Sequence, residues 1–328
     1  MNSGVVEILC EHTHSQNSAL RLNALWGLKH VVNAASVDFK KRCLEELESG
    51  WLIQLICDDI EESAPETSDA MDEDVDMGLA EEQGRSWPAN HTYTTTPTSE
   101  AHADQSSQPS NRTLSLAQSQ LESIKESELS PARKARQDEL DIQEQGLGFI
   151  RNLIGNAHVQ ESSNDMTDMI DHLLSVFGQD RLFGILASKL RPRVTHPFSR
   201  RGTNAGASEA RVLPPQAKMI SAVIYVLVHI AAGIPRHRQL VIAQTDLLRQ
   251  LPRLFNSQEP EVRKALCYLV TNLTWEDDHS DHTACTQRTL ELKNLGFLKK
   301  LETLGQSDEE LDVRERAKSA LWQMKNAY

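Results

Sequence analysis

The stretch Val262-Arg263-Lys264-Ala265-Leu266-Cys267-Tyr268-Leu269-Val270-Thr271-Asn272-Leu273 decides the fold, because the chain writes the same helix four more times. The other copies are Leu20–Val31, Ile142–Leu153, Met219–Ile230 and Val313–Met324. With the first residue of each counted as zero, offset four holds Ala24, Gly146, Val223, Leu266 and Ala317. Offset seven holds Gly27, Phe149, Val226, Leu269 and Ala320, and offset eight holds Leu28, Ile150, Leu227, Val270 and Leu321. Together with the apolar residue that closes each copy, these positions repeat with the period of an amphipathic helix. Offset ten differs: it holds His30, Asn152, His229, Asn272 and Gln323. At about 100° per residue, offsets six and ten lie together, roughly 130° from the centre of the apolar stripe. A polar group repeated where burial does not demand it marks a face for binding.

The copies begin at residues 20, 142, 219, 262 and 313, so their spacings are 122, 77, 43 and 51. A spacing near 43 fits the three-helix armadillo class, in which each unit buries its stripe against its neighbours. The expected fold is therefore all-α, an armadillo-type right-handed helical solenoid. The excess lengths fall on irregular segments. Residues 60–136 are acidic, then Ser- and Thr-rich, with too little apolar surface to bury, and are expected to be disordered. A transient helix is expected over Leu114–Leu129. Residues 192–215 read as a flexible loop rich in Pro, Gly and Arg, and Glu276–Thr283 as a short polar loop.

Residues 1–59 then hold a partial N-terminal unit and the first armadillo unit, and residues 137–328 hold the C-terminal repeats. Two shorter helices are expected before each later copy: Asp38–Glu48 with Trp51–Cys57, and Asp165–Phe177 with Asp180–Leu190. The last two pairs are Arg236–Ala243 with Asp246–Phe255, and Cys285–Leu295 with Gly296–Leu304. Only Val5–His12 precedes Leu20. That first unit reads as incomplete, as in the C-terminal part of a longer solenoid or in one whose end docks on a partner.

Of the 328 residues 39% are hydrophobic and only 5% aromatic, which suits small residues packed between helices better than one large core. The net charge of −13 argues against nonspecific nucleic-acid binding, which needs a basic surface. Twelve acidic residues and no Lys or Arg lie between Asp58 and Glu82, so the excess is local. Cys43, Cys57 and Cys267 lie in apolar helical patterns, and five scattered cysteines read as reduced thiols of a cytoplasmic or nuclear protein. The best apolar stretch, Met219–Ala232, is too short for a membrane span.

Motifs for chemistry are sparse. His279-x-x-His282-x-x-Cys285 has ligand types but lacks a second paired motif, and Cys10-x-His12-x-His14 is weaker still. There is no Gly-rich phosphate loop, nucleophile elbow or His-Glu-x-x-His. The expectation is a non-catalytic protein with no metal, cofactor or small-molecule substrate. Ser130-Pro131 and Thr96-Pro97 suit proline-directed phosphorylation.

Leu20-Arg21-Leu22-Asn23-Ala24-Leu25-Trp26, Gly148-Phe149-Ile150-Arg151-Asn152-Leu153-Ile154 and Thr271-Asn272-Leu273-Thr274-Trp275 also carry a resemblance. So does the segment from Leu295-Gly296-Phe297 through Ala317-Lys318-Ser319-Ala320-Leu321. They resemble the C-terminal half of the armadillo scaffold subunits of the vacuolar import and degradation family; residues 60–136 have no counterpart there. The resemblance implies a non-catalytic subunit of the glucose-induced degradation (CTLH-type) E3 ubiquitin ligase. Its partners would be the substrate-receptor subunit, which recognises N-terminal degrons, and the catalytic-core and scaffold subunits.

In armadillo folds the third helices line a concave groove. Offsets six and ten place Trp26/His30, Gly148/Asn152, Tyr225/His229, Tyr268/Asn272 and Ser319/Gln323 there. An Asn or Gln amide both donates and accepts, and so suits an extended peptide backbone, while the rings wall in its side chains. Arg151 is placed to meet a carboxylate such as a partner's C-terminus. Trp51 and Trp275 read as packing residues, and Trp322 is undecided. On this reading Tyr268 and Asn272 together are replaceable by Ala with loss of the receptor and little change in the melt. The rival is a transport carrier of the importin-α or catenin type, but no unit holds the Trp-x-x-x-Asn pair of importin-like grooves intact.

Overall fold

The computed structural model describes residues 3–33, 35–57, 131–155, 163–195, 211–213 and 215–326. Met1–Asp59 and Pro131–Tyr328 build one compact unit, while residues 60–130 are a second unit outside the described residues. The expected disorder of the insertion and the helix over Leu114–Leu129 therefore fall outside the description.

Helix α1 (Ser3–Thr13) precedes α2 (Ser18–Val32), whose start is fixed by Asn17: its side chain accepts from the amides of Ala19 and Leu20. Then come α3 (Val37–Leu47), α4 (Ser49–Ile56) and, beyond the insertion, α5 (Pro131–Ile154). Helices α6 (Ser163–Phe177) and α7 (Gln179–Leu190) lead through a short ribbon to α8 (Ala217–Ala231). Next are α9 (Pro235–Ile242), α10 (Thr245–Gln250), a 3₁₀ turn (Pro252–Asn256) and α11 (Pro260–Leu273). The chain closes with α12 (His282–Asn294), α13 (Phe297–Ser307) and α14 (Leu311–Asn326).

The five repeated segments thus lie inside α2, α5, α8, α11 and α14, and these helices stack in that order, each against the next. Two shorter helices precede each copy after the first, as the sequence implies. Offsets four, seven and eight fill the shared core, where Phe149, Val223, Leu266 and Ala317 are completely buried. Glycine sets one close approach: a Cβ on Gly146 would stand 2.5 Å from Ile56 Cγ2, so α4 and α5 pack here without room for a methyl group. Cys43 and Cys267 are buried, as expected, and none of the five cysteines is joined in a disulfide. Burial pushes Cys267 up to about 12 and Cys43 to about 11.

Three boundaries differ from the sequence reading. Helix α5 starts at Pro131, so residues 131–136 belong to the helix and not to the insertion. Proline suits a first helical turn, whose N–H groups have no helical partner, and the Ala-Arg-Lys-Ala-Arg that follows continues it. Pro252 divides the expected helix Asp246–Phe255, leaving α10 and the 3₁₀ turn. The loop 192–215 holds two short strands, β1 (Arg193–Thr195) and β2 (Arg211–Leu213), antiparallel with Val194 opposite Val212. No helix among the described residues is long and apolar enough to cross a membrane.

Candidate partner-binding face

Three of the offset-ten side chains, Asn152, Asn272 and Gln323, reach the neighbouring third helix or its C-terminal cap. Asn152 Nδ2 donates to the carbonyl of Lys29 (2.8 Å), and Asn272 Nδ2 to that of Val228 (2.9 Å). Gln323 Nε2 does the same to Thr274 O at 3.1 Å. Each amide thus ties its helix to the C-terminal end of the third helix before it. Asn152 is only 8% exposed, and its Oδ1 accepts from Arg151 Nε at 3.2 Å, so its polar atoms are already engaged. Offset ten is in part a seam between repeats. Asn272, expected to be replaceable together with Tyr268 with little change in the melt, thus also carries a bond between repeats.

The exposed and aromatic groups are distributed along the same face. Trp26 is 55% exposed and rests against the exposed His30, ring centres 4.3 Å apart. Where offset six is Gly148 there is no ring; the stem of Lys29 crosses instead, its Cδ 2.8 Å from where a Cβ would stand. Lys29 Nζ donates to Gln145 Oε1 at 2.6 Å. Burial and the nearby Arg151 lower the Lys29 ammonium below its ordinary value. Arg151 also lies over the Tyr225 ring, 5.8 Å from its centre. Partly buried His229 is pushed down to about 4, first by burial and then by Arg151 and Lys40. Lys29 and Arg151 thus place two cationic groups on the α2–α5 part of the face.

Toward α11 and α14 the face closes on itself. Tyr225 Oη donates to Glu261, and Lys264 Nζ pairs with Glu261 at 2.7 Å and Asp312 at 3.5 Å. Asp312 pairs in turn with Arg316 at 3.4 Å, and Arg316 lies over the Tyr268 ring at 5.1 Å. Burial and the Glu261 bond push the Tyr225 hydroxyl well up. Burial alone would raise the Glu261 carboxyl, but the bonds from Lys264 and Tyr225 bring it below its ordinary value. Sequence reasoning missed Glu261, Lys264, Asp312 and Arg316. Glu261 and Asp312 both stand one residue before their copies. At about 100° per residue that position falls between offsets six and ten on the helical wheel, about two turns before offset six.

The tryptophans divide. Trp51 packs: its Nε1 donates to Thr13 Oγ1 (2.9 Å) and it stacks on His14 at 4.4 Å. Trp275, expected to pack, is 51% exposed, while its backbone carbonyl accepts from Arg288. Trp322 is 67% exposed.

The short loop 276–283 holds a larger surprise. Arg238 and Arg288 are almost completely buried, and Asp281 joins them. Arg288 donates to both Asp281 oxygens (2.9 and 2.8 Å) and to the carbonyls of Leu273 and Trp275 (2.8 and 2.9 Å). Arg238 donates to Gly233 O at 2.6 Å and to Asp277 at 2.5 Å. Two first helices thus supply the donors that the open ends of α8 and α11 lack. Within the candidate metal motif, Cys285 is buried with its thiol donating to Thr274 O at 3.2 Å, whereas His282 pairs outward with Glu276 at 3.0 Å.

Stacked three-helix units with a continuous third-helix face define an armadillo-type solenoid. A crystal structure of computationally designed armadillo repeat proteins for modular peptide recognition shares the fold, with a TM-score of 0.50, 13% identity, and coverage of 98% of this chain and 82% of that one. The chain is similar in sequence to "Armadillo repeat-containing protein 8" of Xenopus laevis, 40% identical over 58 residues, and of Mus musculus, 38% identical over 58 residues. Those 58 residues are 18% of this chain, and only 8% and 9% of the two relatives. The chain matches no family model.

Proposed function

We propose that this chain is a non-catalytic scaffold subunit of a GID/CTLH-type E3 ubiquitin ligase, working in the cytoplasm and nucleus. Its third-helix face holds an extended segment of the substrate-receptor subunit, and other parts of the solenoid meet the catalytic-core and scaffold subunits. Receptor-bound substrates are then positioned for ubiquitin transfer and proteasomal degradation. The likeness to armadillo repeat-containing protein 8 supports the choice of complex. The observation that carries the binding role is the run of Trp26, Arg151, Tyr225 and Tyr268 on four successively stacked helices. Rings and a guanidinium supply most of the energy at protein interfaces. Contact falls chiefly on the α2–α5–α8 part, where Trp26 and His30 are exposed and Arg151 stands free of carboxylates among the described residues. There Arg151 meets an acidic group of the bound segment.

Co-purification of the receptor subunit with tagged protein tests this. Trp26→Ala with Arg151→Ala is expected to abolish capture while the melting temperature stays close to wild type. Undiminished capture would defeat the reading, and capture of a basic nuclear-localisation peptide in its place would favour a transport carrier.

A further inference from the structure

Each third helix has a forward and a backward edge, and the contacts assign side chains to them. Offset nine faces forward. The Lys29 stem crosses the Gly148 position of α5, Arg151 lies over the Tyr225 ring of α8, and Val228 is buried. Offsets six and ten face backward. Gly148 and Tyr225, at offset six, receive Lys29 and Arg151. Asn152 and Asn272, at offset ten, donate to the offset-nine carbonyls of Lys29 and Val228. One kind of seam thus joins α2 to α5, α5 to α8 and α8 to α11.

Among the described residues α2 packs on a third helix only through α5, and α14 only through α11. Each end of the stack therefore carries one unused half of the seam. On α2 the backward positions hold Trp26 and His30, both exposed, with ring centres 4.3 Å apart. On α14 the forward position holds Trp322, the most exposed large hydrophobic side chain among the described residues. Lys318, Ser319 and Lys325, within one turn of it, are exposed and polar. A terminal repeat needs a polar outer face to stay soluble, and an indole set alone in that face breaks the rule. A single ring inside a polar rim is the usual form of an interface anchor.

We propose that a second copy of this chain docks head to tail, its α2 lying beside α14 of the first. Trp322 then lies over Trp26 as Arg151 lies over Tyr225, and the His30 imidazole donates its N–H to the Trp322 carbonyl as Asn152 does to Lys29. That carbonyl can accept the bond beside its helical one, because it has two lone pairs. A second copy is the occupant because both halves belong to one sequence, and their contact continues a seam that the chain already makes between its own repeats. The contact is heterologous, so each added copy presents a fresh edge and growth passes beyond a dimer. This goes beyond the receptor-binding reading and does not rest on it, although Trp26 serves in both.

Sedimentation velocity on the purified full chain, without the receptor subunit, tests the stack; its failure leaves the receptor reading standing. Wild type should gain mass as concentration rises. Trp322→Glu blocks the forward edge, and His30→Glu sets an acceptor against the Trp322 carbonyl. Each variant alone should stay monomeric with an unchanged melt, since both side chains are exposed. Mixed in equal amounts, the two should form a species of two chains and nothing larger, because one intact α2 edge meets one intact α14 edge. Wild type that stays monomeric up to its limit of solubility would overturn the proposal. So would a single variant that still associates, or a mixture that stays monomeric.

Discussion

Asn272 Nδ2 lies 2.9 Å from the carbonyl oxygen of Val228, so the residue best suited to hold a foreign peptide already holds the helix before its own. The Val228 carbonyl also accepts from the Ala232 amide at 2.9 Å. Loss of the side chain therefore leaves no orphaned acceptor, and the cost is that of one net hydrogen bond. Asn272→Ala should lower stability by about 0.5–1.5 kcal/mol. Asn152→Ala, at a more buried position, should cost at least as much. Urea unfolding reads both as a shift in midpoint at constant slope. No midpoint shift in either variant would return offset ten to a purely external role.

The ion pairs around Asp281 are a harsher test of burial. Asp281 is fixed bidentately by Arg288, and both side chains are almost fully buried. Removing one partner of a buried pair strands the other charge, so Asp281→Ala should destabilise by about 3–5 kcal/mol. Asp277 is 38% exposed, and its loss leaves buried Arg238 with Asp281 at 3.9 Å and the Gly233 carbonyl, so Asp277→Ala should cost less, about 1–3 kcal/mol. Equal losses in the two variants would contradict the difference in burial.

Most of the fold is legible because helix periodicity acts within one chain segment. Leu266, Leu269 and Val270 announce their burial by spacing alone, and Pro260 and Pro235 mark helix starts. What lies between helices is less visible. A helical wheel for Val262–Leu273 shows Asn272 off the apolar stripe, but not that the next surface on that side is Val228 and not water. Arg238 and Arg288 read as surface charges, since buried arginine is rare unless paired, and the pairing Asp281 sits in a loop of ordinary polar composition. Pro131 opens α5, a role that the Ser-Pro phosphorylation signal in the sequence does not announce. Of the expected face, Trp26 and His30 are exposed, whereas Asn152 is buried in the seam.

Acid should weaken the fold through two imidazoles. Burial, then Arg151 and Lys40, hold His229 down to about 4 in the folded chain, against about 6.5 unfolded. Burial also lowers His237, more than its bond to Asp171 raises it. Both are neutral when folded and take up protons when unfolded, so their contribution is complete above about pH 7 and is lost as pH falls. For His229 the loss runs between about pH 6.5 and 4, at up to about 1.4 kcal/mol per pH unit. Chemical denaturation across that window should show a shallower pH slope for His229→Asn than for wild type. An unchanged slope would mean that His229 is protonated in the folded chain.

Two glycines should respond in opposite directions to the same substitution. A Cβ on Gly233 would stand 2.3 Å from His237 Nδ1, and that ring is fully buried and tied to Asp171 Oδ1 at 2.8 Å. The imidazole has no free direction in which to yield without breaking that tie, so Gly233→Ala should destabilise by about 1–3 kcal/mol. Gly184 lies exposed inside α7, with nothing within 4 Å of an added Cβ. There the methyl group only restricts the unfolded chain and favours the helix, so Gly184→Ala should stabilise by about 0.5–1 kcal/mol. Thermal melts of the two variants beside wild type decide it. Shifts in the same direction would show that the tight packing of Gly233 against His237 does not hold in solution.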